Sequence, residues 1–239
     1  MALLEVSDFG KQFINHRLQV KRQAVNNIHF KLEEGQFLGI IGKSGSGKST
    51  ILKSIYRTYL PDQGNIYFDS NHLGKIDITK ISEREMIYLR KFEISYVSQF
   101  LDVLPRITCR ELVEKSLQEM GVEHAIAKVE AESALTHFEL DEKLWDVYPN
   151  TFSGGEKLRL NIAMATVKQP RLLLLDEPTA SLDQQSKMKV REVIEKLKHS
   201  GTTLIGIFHD IEFIEGLCDS IFNMNDHQPV TTIGNTYES

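Results

Sequence analysis

The stretch Gly42-Lys43-Ser44-Gly45-Ser46-Gly47-Lys48-Ser49 constrains this chain more than any other feature. It fits G-x-x-x-x-G-K-[ST] at each fixed position, between an apolar run (Phe37–Ile41) and a helical pattern (Lys48–Tyr59). Strand, glycine-rich loop and helix together are the context in which such a loop cradles phosphate. Glycines let successive backbone N–H groups turn toward one anion. The helix start adds roughly half a positive charge at the same point. Lys43, Ser44, Gly45, Ser46 and Gly47 then wrap the phosphates, and Thr50 continues the helix. Lys48 supplies a full charge to the β- and γ-phosphates, and the Ser49 hydroxyl is a short oxygen ligand for Mg²⁺.

A second signal lies far along the chain. Arg171–Asp176 reads as a buried strand, and it ends in Asp176-Glu177-Pro178. Side chains alternate along a strand, so the two carboxylates are expected to project differently. Asp176 is expected to serve the metal and Glu177 to act as general base on an attacking water. A carboxylate pair before proline can also simply close a strand; the phosphate loop favours the chemical reading.

Thr151-Phe152-Ser153-Gly154-Gly155-Glu156-Lys157 is the third. Ser153-x-x-Glu156 is a capping box that opens a helix. Two glycines in a first turn each cost up to about 1 kcal/mol relative to alanine. Close approach of a phosphate to the bare N–H groups of Ser153, Gly154 and Gly155 would account for them.

The runs Gln36–Ile41, Glu93–Val97, Arg171–Asp176 and Thr202–Phe208 read as strands buried on both faces of a mostly parallel sheet. Helical patterns at Lys48–Tyr59 and Gln184–His199 alternate with them, which indicates an α/β core. Residues 106–167 break the rhythm with helical patterns at 108–120, 123–138 and 154–167, and are expected to form an inserted helical subdomain. The cassette is expected over 1–225, with 226–239 a loosely attached polar tail.

Composition narrows the function classes. The 239 residues are 41% hydrophobic and carry a net charge of −5, from 33 acidic and 28 basic residues. That balance argues against a nucleic-acid protein, which needs a basic field. No apolar run approaches the ~18 residues of a membrane span, and the N-terminus does not read as a signal peptide. Cys109 and Cys218 form neither a disulfide framework nor a metal spacing. The protein is expected to be cytoplasmic, meeting a membrane only through a partner.

Together the motifs resemble one family, the ATPase domains of ABC (ATP-binding cassette) proteins, from about Leu4 to Met224. The motifs fall in family order: 42–49, Tyr96-Val97-Ser98-Gln99, Ser153–Glu156, Leu172–Glu177, Ser181-Leu182-Asp183 and His209-Asp210. The resemblance implies a RecA-like P-loop core with an N-terminal antiparallel β region and the helical insertion. It implies ATP and Mg²⁺ as ligands, in a head-to-tail dimer that sandwiches ATP between one copy's phosphate loop and the other's Ser153–Gly155. Several roles come only from it. Gln99 would contact Mg²⁺ and the attacking water, His209 the γ-phosphate, and Asp183 the dimer interface. Phe13 is the candidate to stack on adenine. One departure is Glu156, where many members carry Gln; as half of a capping box it is expected to turn away from the phosphate.

A finer resemblance is to the ATP-binding subunits of the phosphonate carbon–phosphorus lyase system. It rests on Tyr59-Leu60-Pro61-Asp62 with Gly64, Val97–Leu101 with Val103 and Pro105-Arg106-Ile107, Leu144-Trp145, Thr151–Glu156 and Gly206–Asp210. That implies a soluble lyase complex as partner, beside a copy of itself or a second ABC subunit. The alternatives are the ATPase subunit of a membrane transporter, of lipoprotein-release or export type, and a nucleotide-switched binding module with little turnover. The apolar segment Phe100–Leu104 is expected to dock either kind of partner or to pack internally.

Overall fold

The computed structural model describes residues 2–15, 20–99, 106–180, 182–225 and 228–231. Phe100–Leu104 and Ser181 therefore lie outside the described residues, as does most of the 226–239 tail.

Two sheets face each other. The first is antiparallel, built from β1 (Ala2–Asn15), β2 (Val20–Glu33), β4 (Gln63–Ser70) and β5 (Gly74–Asp77) in the order β2-β1-β4-β5. The second holds β3 (Phe37–Ile41), β6 (Ile94–Val97), β7 (Leu172–Asp176), β8 (Thr203–Ile207), β9 (Ser220–Asn223) and β10 (Gln228–Thr231), in the order β10-β9-β3-β8-β7-β6. From β9 to β6 every pairing is parallel; β10 runs antiparallel along the β9 edge. The helices are α1 (Lys48–Ile55), α2 (Glu83–Phe92), α3 (Cys109–Gln118), α4 (His124–His137), α5 (Gly154–Thr166), α6 (Gln184–His199) and α7 (Ile211–Ile214).

The four expected strands and the helix Gln184–His199 appear within a residue or two. β7 shows why they were legible. Leu172 and Leu174 point into the core shared with the antiparallel sheet, and Leu173 and Leu175 into the core beneath α5 and α6. A strand with no solvent face must be apolar throughout, and each such side chain contributes about 1.5–3 kcal/mol by leaving water.

Between 106 and 167 the described residues form α3, α4, α5 and two short 3-10 turns, with no strand. Capping boxes at Thr108/Glu111 and Ser153/Glu156 start α3 and α5. Two expectations need correction. The helix after the phosphate loop stops at Ile55 rather than Tyr59, because Arg57 takes a left-handed φ of 58°. The tail is not wholly loose: residues 228–231 pair with β9, whose outer edge would otherwise leave backbone groups unpaired. Among the described residues no helix is long and apolar enough to cross a membrane.

Candidate functional site

In a parallel sheet every strand delivers its following loop to the same edge, where ligands of open α/β sheets collect. Four loops carrying candidate residues leave that edge. They are the phosphate loop after β3, Gln99 beyond β6, Glu177 after β7, and His209 beyond β8. Because β3, β8, β7 and β6 are consecutive neighbours, their loops are neighbours too.

The phosphate loop takes the form its glycines permit. Gly42, Gly45 and Gly47 have φ of 150°, 77° and 92°, and Gly47 caps α1 from the left-handed region. Gly47 is also sterically required: a Cβ there would lie 2.5 Å from Val25 Cγ1 and 2.6 Å from the Ala24 carbonyl. Lys48 is only 3% exposed, and its ammonium donates to the carbonyls of Gly42 (2.8 Å) and Lys43 (3.0 Å). Burial pulls its pKa below the usual lysine range, opposed by the charges of Glu177 and Asp176. Lys43, Ser44 and Gly45 are exposed at the loop's tip, while Thr50 N–H already bonds the Gly47 carbonyl at 3.0 Å.

Asp176 ends β7 and is buried. Ser49 Oγ donates to its Oδ1 at 2.8 Å, and the Tyr96 hydroxyl donates to its Oδ2 at 2.5 Å. Burial, with the Asp176 carboxylate second, raises the Tyr96 pKa far above the usual phenol value, so this hydroxyl keeps its proton to donate. Tyr96 opens the segment Tyr96–Gln99, but its partner is 80 residues away in sequence, and no local pattern announces it.

Glu177 diverges from Asp176, but not by simple alternation. It lies one residue beyond the strand with a left-handed φ of 52°, and that turn re-aims its side chain. Its Oε1 lies 2.8 Å from His209 Nε2. A non-glycine residue at positive φ is uncommon and mildly strained; Glu177 shares it with Arg57 and other turn residues, so its placement beside His209, and not the φ alone, marks it as a site residue.

Phe13, Ala24, Gly45, Gly47, Lys48, Ser49, Thr50 and Glu177 line a cavity of about 440 Å³. Phe13 is 37% exposed and meets Tyr59 edge-on at 5.2 Å between centroids. The Tyr59–Asp62 segment braces this aromatic's strand: Asp62 accepts from Gln12 N at 2.6 Å and from Lys11 Nζ at 3.2 Å.

The remaining candidates stand apart from the cavity. Ser153 and Gly154 are exposed at the start of α5, and neither they nor Gly155 line it. Glu156 does turn back: its Oε2 accepts from Ser153 N at 2.7 Å, and Ser153 Oγ accepts from Glu156 N at 3.3 Å. The bond from the Ser153 side chain holds the Glu156 carboxyl below the usual carboxylate range. Gly155 has a reason the sequence did not disclose, since a Cβ there would sit 2.9 Å from Ser186 Oγ on α6. Its glycine is needed for packing α5 on α6, whatever else approaches. Asp183 is exposed and caps α6 by accepting from Ser186 N at 2.9 Å, which lowers its pKa. Gln99 is exposed just beyond β6. Burial pushes the Cys109 and Cys218 thiols up to about 12, which suits inert packing groups.

The site fits a magnesium-bound triphosphate on its own chemistry. Ser49 and Asp176 are hard oxygen donors of the kind Mg²⁺ takes alongside substrate phosphates. Ser46 Oγ is buried inside the loop with no hydrogen-bond partner among the described residues, a polar atom that a phosphate oxygen would satisfy.

Comparisons with known proteins agree in kind. Residues 25–180 match the family model described as ABC transporter. The chain is 31% identical over 204 residues to the cell division ATP-binding protein FtsE of Bacillus subtilis, covering 85% of this chain and 86% of that protein. It is 31% identical over 223 residues to a putative peptide import ATP-binding protein of Brucella ovis, covering 92% of this chain and 68% of that one. Among solved structures, an ATP-binding cassette captured as a dimer in a post-hydrolysis state with ADP and Pi superposes with a TM-score of 0.86. It is 27% identical and covers 97% of this chain and 100% of its own.

Proposed function

Because this chain belongs to the ABC transporter ATPase family and is an ABC-type ATP hydrolase, we propose that it works as a head-to-tail dimer closing on two Mg-ATP molecules. The observation that carries this reading is a separation within one chain. Lys48, Ser49 and Glu177 line one cavity with Phe13, while the exposed helix start at Ser153–Gly155 lines none of it. A second copy can bring its Ser153–Gly155 onto the exposed side of that loop.

The roles we assign combine position in the fold with the family resemblance. Phe13 stacks on the base, and the N–H groups of 42–49 with Lys48 hold the phosphates. Ser49 and Asp176 would hold the metal, which when bound neutralises phosphate charge; Gln99 is assigned to it by the family resemblance alone. Glu177 orients the attacking water and accepts its proton, with His209 Nε2 2.8 Å from its carboxylate and holding it in place; contact of His209 with the γ-phosphate is what the family resemblance assigns. Asp183 meets the partner copy. Replacing Glu177 by Gln tests the enzyme reading: ATP binding persists and phosphate release falls to background. Normal release would remove Glu177 from this role. Altered partner binding with no turnover even in the wild type would favour a nucleotide-switched module instead.

For the partner, we infer the soluble carbon–phosphorus lyase complex of phosphonate degradation, in the cytoplasm. The two relatives at 31% identity serve cell division and peptide import by name, so that level of likeness carries the ATPase and not its partner. What supports the lyase reading is the set of short segments, among them Tyr59–Asp62 and Gly206–Asp210. The second reading, an ATPase bound to a membrane permease, is favoured by the import relative and by the family itself. Affinity capture of the Glu177→Gln protein in ATP decides between them. Soluble lyase subunits support the first reading; an integral membrane permease overturns it in favour of the second.

A further inference from the structure

We propose that Tyr96 is a positioning residue that fixes the Asp176 carboxylate for its metal, an inference that rests on the Mg-ATP reading above. On β6, Tyr96 is in register with Leu174 of β7, two residues before Asp176. From there its hydroxyl donates to Asp176 Oδ2 at 2.5 Å, while Ser49 Oγ donates to Oδ1 at 2.8 Å. Each carboxylate oxygen is thus held by an O–H group from a different element. A carboxylate held at both oxygens loses its freedom to turn about its terminal torsion, which is otherwise broad. Outer partners of this kind orient a metal ligand and tune its strength.

The donor is itself anchored. The Tyr96 ring lies 5.2 Å from the Tyr56 ring at 35°. Arg90 covers the other ring at 4.8 Å, and its Nε and Nη2 donate to the Tyr56 carbonyl at 3.0 and 2.8 Å. On both sides of Tyr96 the strand is tied to α5 and its neighbourhood. Ser95 Oγ donates to the Ala165 carbonyl at 2.8 Å, and Asn161 Nδ2 to the Ser98 carbonyl at 3.2 Å. A phenylalanine would satisfy all the ring packing. The hydroxyl is the atom that packing does not require, and Asp176 is where it goes.

Tyr96→Phe removes that atom alone. The measurement is the affinity of a fluorescent N-methylanthraniloyl-ATP, titrated without metal and then against Mg²⁺, with Mn²⁺ binding followed by electron paramagnetic resonance. Expected are an unchanged metal-free affinity and a melting temperature lowered by a few degrees, as the loss of one buried hydrogen bond entails. The Mg²⁺ concentration at half effect should rise on the order of 10-fold, with Mn²⁺ binding weakened in step. A merely structural role would lower the melting temperature and leave the Mg²⁺ and Mn²⁺ midpoints where they are in the wild type. A Phe variant whose metal dependence matches the wild type overturns the proposal. If the Phe variant does not fold, Tyr56→Leu leaves the hydroxyl but withdraws its support. A smaller shift in the same direction is then expected, and an unmoved midpoint overturns the proposal. Should the wild type itself bind nucleotide without regard to Mg²⁺, the Mg-ATP reading falls and this inference with it.

Discussion

At the residue scale the chain distinguishes side chains that line the phosphate-loop cavity from side chains that shape the backbone near it. Glu156 belongs to the second group. Its carboxylate is engaged by Ser153 N and Ser153 Oγ, each at 2.7 Å, and is directed away from any ligand at the helix start. Glu156→Gln is therefore expected to leave phosphate release within a few-fold of wild type. Loss of activity would mean the carboxylate acts on the ligand after all. The same bonds give a pH dependence. With its folded pKa depressed, Glu156 contributes stability that is present above the ordinary carboxylate range and lost as pH falls through its lowered value. Thermal melts between pH 7 and pH 3 should show the wild type losing more of its advantage than Glu156→Gln does; parallel curves would contradict this. Lys48, Ser49, Asp176 and Glu177 were legible because their motifs are local. The geometry separating Asp176 from Glu177 was not: it comes from a left-handed residue, and alternation in the strand does not supply it.

At the element scale legibility followed burial. Runs such as Leu172–Leu175 advertise a strand covered on both faces, and capping boxes announced α3 and α5. Helix α2 carried the same signal, Ser82 with Glu85, and went unread. The long β1–β2 pairing was expected only from family resemblance, since its partly exposed strands lack a continuous apolar run. Two glycines show what sequence cannot give, namely which side chains fold over them. Gly155 meets Ser186 on α6, and Gly206 on β8 leaves room for Phe208, whose Cε2 would be 2.3 Å from an added Cβ. Gly206→Ala is expected to destabilise the fold by about 1–3 kcal/mol through overpacking of a rigid ring. Denaturant unfolding measures it, and a midpoint equal to wild type would show that Phe208 can move aside.

At the scale of the whole molecule, the parallel sheet gathers Lys48, Ser49, Asp176 and Glu177 at one edge, and on the proposed reading Ser153, Gly154 and Asp183 supply the other half of the site in a second copy. Lys48 and Asp176 are buried, whereas Ser153, Gly154 and Asp183 are exposed. That division implies that defects in the two halves complement each other. A Lys48→Ala protein and a Ser153→Arg protein, each inactive alone, should regain part of the wild-type phosphate release when mixed, because the mixed dimer holds one intact site. No recovery at any ratio would contradict a shared site. The most direct measurement is sedimentation of the Glu177→Gln protein with and without Mg-ATP. The account predicts a monomer that becomes a dimer when Mg-ATP is present and reverts when EDTA is added; a protein that binds Mg-ATP and stays monomeric would contradict it.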